Sequence, residues 1–137
     1  MISRASKAAR TDPATGIVFD SASELRRYRE LQLLERAGII RNLRRQVVFP
    51  LVIKGVGPIL IRSPRYRNGR AAIYTADFCY EEAHEGGLAW REAVEDHKGY
   101  QTDIARLRIA VVEAIYGIEI RITGPAKRAK RKHAWAA

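Results

Sequence analysis

Two short stretches carry the residues best suited to chemistry. "YTADFCY" (74–80) sets one acid, Asp77, in an otherwise apolar run, and "AVEDHKGY" (93–100) carries Asp96 and Lys98 two positions apart. Residues two apart on a strand share a face, so Asp96 and Lys98 would point the same way. Between the stretches lies Gly86-Gly87, a pair suited to a two-residue hairpin turn. With that turn, Asp77 falls opposite Asp96, and Thr75 falls opposite Lys98. Cross-strand partners have Cβ atoms about 4.5–5.5 Å apart, and like charges there are destabilising. Two facing carboxylates are tolerated when one is protonated or when a cation lies between them. Mg²⁺ suits such a pair, because it binds through one or two carboxylates and keeps several waters. Lys98, one step along the same face, would then meet a phosphate at that metal.

A third acid, Glu24, belongs to a helix. Asp20 or Ser21 would cap it, Leu25, Tyr28, Leu31 and Leu34 give helical spacing, and Gly38 fits its end, so the helix covers about 21–37. At about 100° per residue, Glu24 stands at the start of the apolar face rather than on the solvent side. Ser21-x-x-Glu24 is equally a capping box, so a cap and a site acid both remain open for Glu24.

These residues need elements to hold them. "QVVFPLVI" (46–53) reads as a strand, with Pro50 arguing for an edge or a bulge. "GPILIRS" (57–63) would pair with it across 54–56, and Asn68-Gly69 marks a basic turn. Strands over 71–82 and 88–99 flank the glycine pair. A second helix follows at about 102–116, capped by Thr102, with Ile104, Leu107, Val111, Val112 and Ile115 as its buried stripe. "IEIRI" (118–122) alternates as a last strand. The order helix, four strands, helix, strand predicts an α/β domain with a mixed sheet flanked by helices. Residues 1–15 are expected as a flexible basic arm, 16–123 as the domain, and 124–137 as a basic, disordered tail.

The chain has 137 residues and a formal net charge of +10. Residues 26–70 carry twelve Lys/Arg against Glu30 and Glu35, whereas 77–103 carry eight acids against Arg91 and Lys98. A basic body suggests a polyanionic partner, most simply nucleic acid. Candidate phosphate contacts are Arg26, Arg27, Arg29, Arg44 and Arg45, then Arg65, Arg67 and Arg70. The tail adds Lys127, Arg128, Lys130, Arg131 and Lys132. A single cysteine, Cys79, excludes an internal disulfide framework and a Cys-based zinc site. No apolar run approaches a membrane span, and the N-terminus lacks the apolar core of a signal peptide. A cytoplasmic protein without membrane association is expected.

The order Glu24, Asp77, then Asp96-His97-Lys98 resembles the PD-(D/E)XK nuclease core, in which a helix acid precedes a hairpin bearing the metal acids. More widely, "GIVFDSASELRRYRELQLLERAGII", "YTADFCY" and "VEDHKGYQT" are similar to a family of small phage-encoded proteins of that superfamily, with Holliday-junction-resolvase-like relatives. The likeness covers roughly residues 16–122, and Ala76 departs from it by replacing the Pro before the first acid. It implies a restriction-endonuclease-like core in a bacterial, phage or prophage setting. Asp77, Asp96 and the backbone carbonyl of His97 would bind Mg²⁺, with Mn²⁺ able to substitute, and Glu24 would join directly or through water. Lys98 would assist at the phosphate. It further implies a homodimer acting on branched DNA. The alternative is a non-catalytic nucleic-acid-binding protein on the same fold.

Other polar residues are weaker candidates. Gln46 opens a strand and occupies a comparable place in the resembling proteins. Tyr100, Gln101 and Thr102 follow Lys98 closely enough to touch DNA, although Thr102 also serves as a cap. Glu95 and the His97 imidazole would lie on the face opposite Asp96. Cys79 and Trp90 are expected to pack. His84 and His133 have no partner at ligand spacing.

Overall fold

Ser21 starts the first helix by accepting a hydrogen bond from the Glu24 N–H at 3.0 Å, and α1 runs Ala22–Arg36. The computed structural model describes residues 5–124, so residues 1–4 and 125–137, with the tail cations Lys127, Arg128, Lys130, Arg131 and Lys132, lie outside it. Residues 8–10 of the expected arm form a 3₁₀ turn. The chain then doubles back through a Thr11–Val18 bridge, and the Arg10 guanidinium donates to the Phe19 carbonyl at 2.7 Å.

Strand β1 (Ile40–Pro50) starts six residues before the expected one. Its first half, "IRNLRR", does not alternate, and a bulge between Arg41 and Arg44 disturbs it further. Cross-strand pairing, absent from local spacing, makes it a strand. The partner also differs from expectation. Residues 52–71 fold into two small hairpins, β2 (Val52–Ile53) with β3 (Gly57–Pro58) and β4 (Leu60–Ile61) with β5 (Arg70–Ala71). They close tightly at Gly69, where a Cβ would stand 2.7 Å from that of Leu60. Only 52–53 and 57–58 of the predicted pairing form, and β1 instead pairs along its length with β6 (Ile73–His84).

β6 turns through Glu85–Gly87 into β7 (Ala89–His97), and Gly86 and Gly87 supply φ of 67° and 90°. The turn is longer than two residues, yet it keeps the expected register: His84 pairs with Ala89 and Phe78 with Glu95. Helix α2 (Asp103–Tyr116) is capped by Thr102 and closed by Gly117. It carries the chain over to β8 (Ile120–Thr123), which lies parallel to β7. The protein is thus an α/β fold with a mixed sheet of order β1-β6-β7-β8 and two long helices. Leu25 and Leu31 of α1 pack with Phe19, Phe78 and Tyr80, while Ile109 and Val112 of α2 pack with Tyr74, Ala76, Cys79 and Val94. Among the described residues no helix is long and apolar enough to cross a membrane.

Two expectations about side chains change. Ile104 and Leu107, predicted in the buried stripe of α2, are 71% and 66% exposed, whereas Val112 of that stripe is buried, Val111 and Ile115 pack partly against the core, and Ile109, outside the stripe, is buried as well. Apolar residues occur around most of this helix, so spacing alone does not choose the buried side. Arg27, predicted to contact phosphate, points inward. Its Nε and Nη2 donate to both carboxylate oxygens of Glu95 at 2.8 and 2.7 Å, and Glu95 also accepts from the Tyr80 hydroxyl and from Thr123. Burial alone would raise the Glu95 pKa, but the Arg27 and Tyr80 hydrogen bonds outweigh it and hold the carboxyl below its ordinary range.

This pair ties α1 to β7. Breaking a buried ion pair from one side strands the other charge, at a cost of about 3–5 kcal/mol. Arg27→Ala is expected to lose stability of that order in urea unfolding, whereas Arg26→Ala, on the exposed side of α1, should stay within about 0.5 kcal/mol of wild type.

Candidate functional site

The rung beyond Phe78–Glu95 brings Asp77 and Asp96 together. One Asp77 oxygen, Oδ2, accepts from the backbone N–H of His97 at 2.8 Å, and Oδ1 accepts from Gln46 Nε2 at 3.3 Å. Oδ2 of Asp96 accepts from the Tyr74 hydroxyl at 2.8 Å and has the Lys98 Nζ at 3.4 Å. The other Asp96 oxygen, Oδ1, is buried without a hydrogen-bond partner, and the residue is 1% exposed. Lys98 stays half in solvent. The predicted juxtaposition of Asp77, Asp96 and Lys98 is therefore present.

Both strands change face at this rung. Strict alternation would set Leu43, Arg45, Val47 and Phe49 on one side of β1. Instead Leu43 packs in the α1 core and the Arg45 guanidinium stacks on Phe19, while Val47 and Phe49 pack in the α2 core. The reversal sits at Gln46, which has φ of 50°, uncommon for a residue with a side chain. In β6, Ala76 and Cys79 belong to the α2 core but Phe78 and Tyr80 to the α1 core, so alternation breaks at Asp77. Such strain persists where surroundings enforce it, and here it aims the Gln46 amide at Asp77.

Glu24 reaches the same region from the N-terminus of α1. It is buried, and both open readings find support. Its N–H is capped by Ser21 and its carboxylate is stabilised by the Asp20 backbone, while it also interacts electrostatically with Arg45 and Asp96. Burial, then the Asp20 charge, raises its pKa. Asp77 shifts further: burial, reinforced by the facing Asp96 carboxylate, pushes it up to about 8. Burial and the Asp96 charge likewise push the Tyr74 phenol well above its ordinary value.

The remaining candidates divide. The His97 ring lies away from Asp96, between Ser23 Oγ at 2.6 Å and Thr123 Oγ1 at 2.9 Å, and burial lowers its pKa. Its backbone N–H is what meets Asp77. Arg44 is paired with Glu92, and Arg29 lies 4.0 Å from Asp12. Arg45 lines a cavity of about 240 Å³ with Glu24 and Gln46. Arg65 and Arg70 each lie 5.5 Å from the Tyr66 ring, and Arg67 is exposed beside them. Tyr100 is exposed, Gln101 Nε2 is buried without a partner, and Thr102 caps α2. Cys79 is buried and its thiol is pushed up to about 11 by burial, which fits packing rather than nucleophilic chemistry. Tyr74 was not legible as a site residue. The only signal was that a buried Tyr hydroxyl needs a partner.

Among the described residues no group of three or more His, Cys, Asp and Glu side chains is arranged to hold a metal ion. The Asp77–Asp96 pair still fits a hard divalent cation, which needs only one or two carboxylates, and the orphaned Oδ1 of Asp96 is a ready oxygen ligand.

Without a cation, the raised Asp77 pKa makes the proton part of the fold. Its contribution is fully present below the ordinary value of 3.8 and is lost as pH rises through about 8. In EDTA, the melting temperature of wild type relative to Asp77→Asn is expected to fall across that window, since Asn mimics the protonated acid. Added Mg²⁺ should reverse the loss at the alkaline end. A flat difference curve would show that Asp77 carries no such proton.

No curated protein and no solved structure is significantly similar to the chain. Residues 5–133 match the model of a family described as "Protein of unknown function (DUF1064)". That match takes in both long helices, the whole sheet and the acid pair at its centre, and the chain belongs to this family.

Proposed function

We propose that the protein is a metal-dependent endonuclease with a restriction-endonuclease-like, PD-(D/E)XK core that cuts branched DNA. The observation that carries this reading is the half-satisfied buried Asp96. Its Oδ1 has no partner, although Asp77, Lys98 and Tyr74 are all in place around it. A purely structural acid would be expected to have its lone pairs occupied. In this reading Asp77 and Asp96 hold Mg²⁺ or Mn²⁺, joined by the His97 carbonyl and, directly or through water, by Glu24. When bound, the ion would polarise the phosphodiester and lower the pKa of a water.

The chain's own groups do the rest. Tyr74 and Lys98 hold one oxygen of Asp96 and leave the other free. Gln46 and the His97 N–H orient Asp77. The Lys98 ammonium, half in solvent, is positioned to offset charge developing on the phosphate. DNA is favoured as the partner by the net charge of +10. The exposed Arg26, Arg65, Arg67 and Arg70 would meet phosphates, which carry no sequence information. A branched substrate rests on the likeness to resolvase-like proteins. Symmetric cutting of a junction would call for a homodimer, acting in the bacterial cytoplasm.

Labelled four-way junction, flap, single-stranded and linear duplex DNA, each with Mg²⁺ and with EDTA, test the proposal. Cleavage is expected only with metal and most strongly on the junction. Asp96→Asn should abolish cleavage while binding stays or tightens, because a negative charge near phosphates is removed. Glu24→Gln should melt normally, since Gln also serves in a capping box, yet cut more slowly by orders of magnitude. Binding without cleavage in every metal would leave a nucleic-acid-binding protein instead, and cleavage by Asp96→Asn at the wild-type rate would refute the site.

A further inference from the structure

The acid pair is flanked by two cavities. The one beside Glu24 and Gln46 holds Arg45. The other, about 290 Å³, lies towards α2 and is lined by Tyr74, Thr75, Asp96, Lys98 and Arg108, with Ile73, Ala105 and Ile109 as its apolar wall. Asp96 lines this second cavity but Asp77, Glu24 and Gln46 do not, so it opens on the Asp96 side of the acid pair, towards α2.

Its charge is unbalanced. Asp96 is the one acid in its lining, against the Lys98 ammonium and the Arg108 guanidinium. Lys98 lies 3.4 Å from Asp96 and is half in solvent. Arg108 makes no ion pair or hydrogen bond with any described residue, whereas Arg106, two positions earlier, lies 3.7 Å from Asp103. An unpaired guanidinium on a cavity wall offers a planar fork suited to phosphate oxygens. The Thr75 hydroxyl adds a further donor. The volume is at the small end of ligand pockets, about 300 Å³ and upward. It would hold a phosphate with its sugar against the apolar wall.

We propose that this cavity binds a backbone phosphate of the nucleic-acid strand next to the position being cut, with Arg108 as its principal ligand and Lys98 shared with the scissile phosphate. The proposal rests on the nuclease reading for the identity of the strand, but its binding test does not require cleavage. Arg108 then adds to the affinity for the strand that passes Asp77 and Asp96. It is a substrate-binding residue that the order of acids along the chain does not reveal.

Binding of fluorescently labelled single-stranded and four-way-junction DNA to the full chain, in EDTA and across a salt series, tests this. Arg108→Gln is expected to raise Kd about tenfold on both DNAs and to reduce the salt slope by about 0.7–0.9, the release of one counterion. Arg106→Gln should change neither by more than twofold. With Mg²⁺, Arg108→Gln should raise KM and keep kcat. Inorganic phosphate titrated into wild type should shift the Arg108 Nε–H and Thr75 NMR signals, and it should leave Thr75 unshifted in Arg108→Gln. Unchanged Kd and salt slope in Arg108→Gln would overturn the cavity while leaving the nuclease reading intact. Weakened binding by that variant, with a wild type that never cuts, would uphold the cavity and defeat the nuclease reading.

Discussion

Strand β7 buries two acids in succession, and the fold satisfies only one of them. Glu95 and Asp96 are 0% and 1% exposed and point to opposite faces of the sheet. A buried carboxylate is costly unless it is paired and hydrogen-bonded. Glu95 receives both arms of Arg27, the Tyr80 hydroxyl and Thr123, so its charge is spent on joining α1 to the sheet. Asp96 receives Tyr74 and Lys98 on one oxygen and nothing on the other. The contrast is informative because both residues are almost fully buried. What differs is that one acid is closed off and the other still has ligand capacity.

That arrangement depends on the backbone around it. The positive φ at Gln46 and the broken alternation at Asp77 occur on the same rung, so the two edges of the irregularity match. Each strand can then serve the α1 core at one end and the α2 core at the other. The acids sit where the two cores meet, with Glu24 arriving from the helix packed on one face and Lys98 from the chain leading to the helix on the other.

The basic residues sort by the same logic of pairing. Arg27 and Arg44 are engaged with Glu95 and Glu92, and Arg45 is stacked over Phe19 beside Glu24. Those left for a polyanion are spread over α1, the hairpins of 52–71 and α2. Net charge counts all of them alike. Only those without an acid partner add to the field that a phosphate backbone would meet.

Local chemistry in the sequence determined the helix caps at Ser21 and Thr102, the glycines of the β6–β7 turn and, through them, the register that brings Asp77 to Asp96. These depend on spacings of a few residues, or on one turn that sets a whole ladder, so they are legible from the order of residue types. Tertiary structure decided what depends on distant partners. Arg27 finds Glu95 68 positions away and leaves the surface, and Tyr74 finds Asp96 22 positions away and enters the site. β1 becomes a long strand because β6 pairs with it, despite a sequence that does not alternate. The buried side of α2, and with it the place of Arg108, follows from which apolar residues meet the sheet. Spacing along one helix does not contain that choice, because it is made by the shape of the surface on which the helix packs.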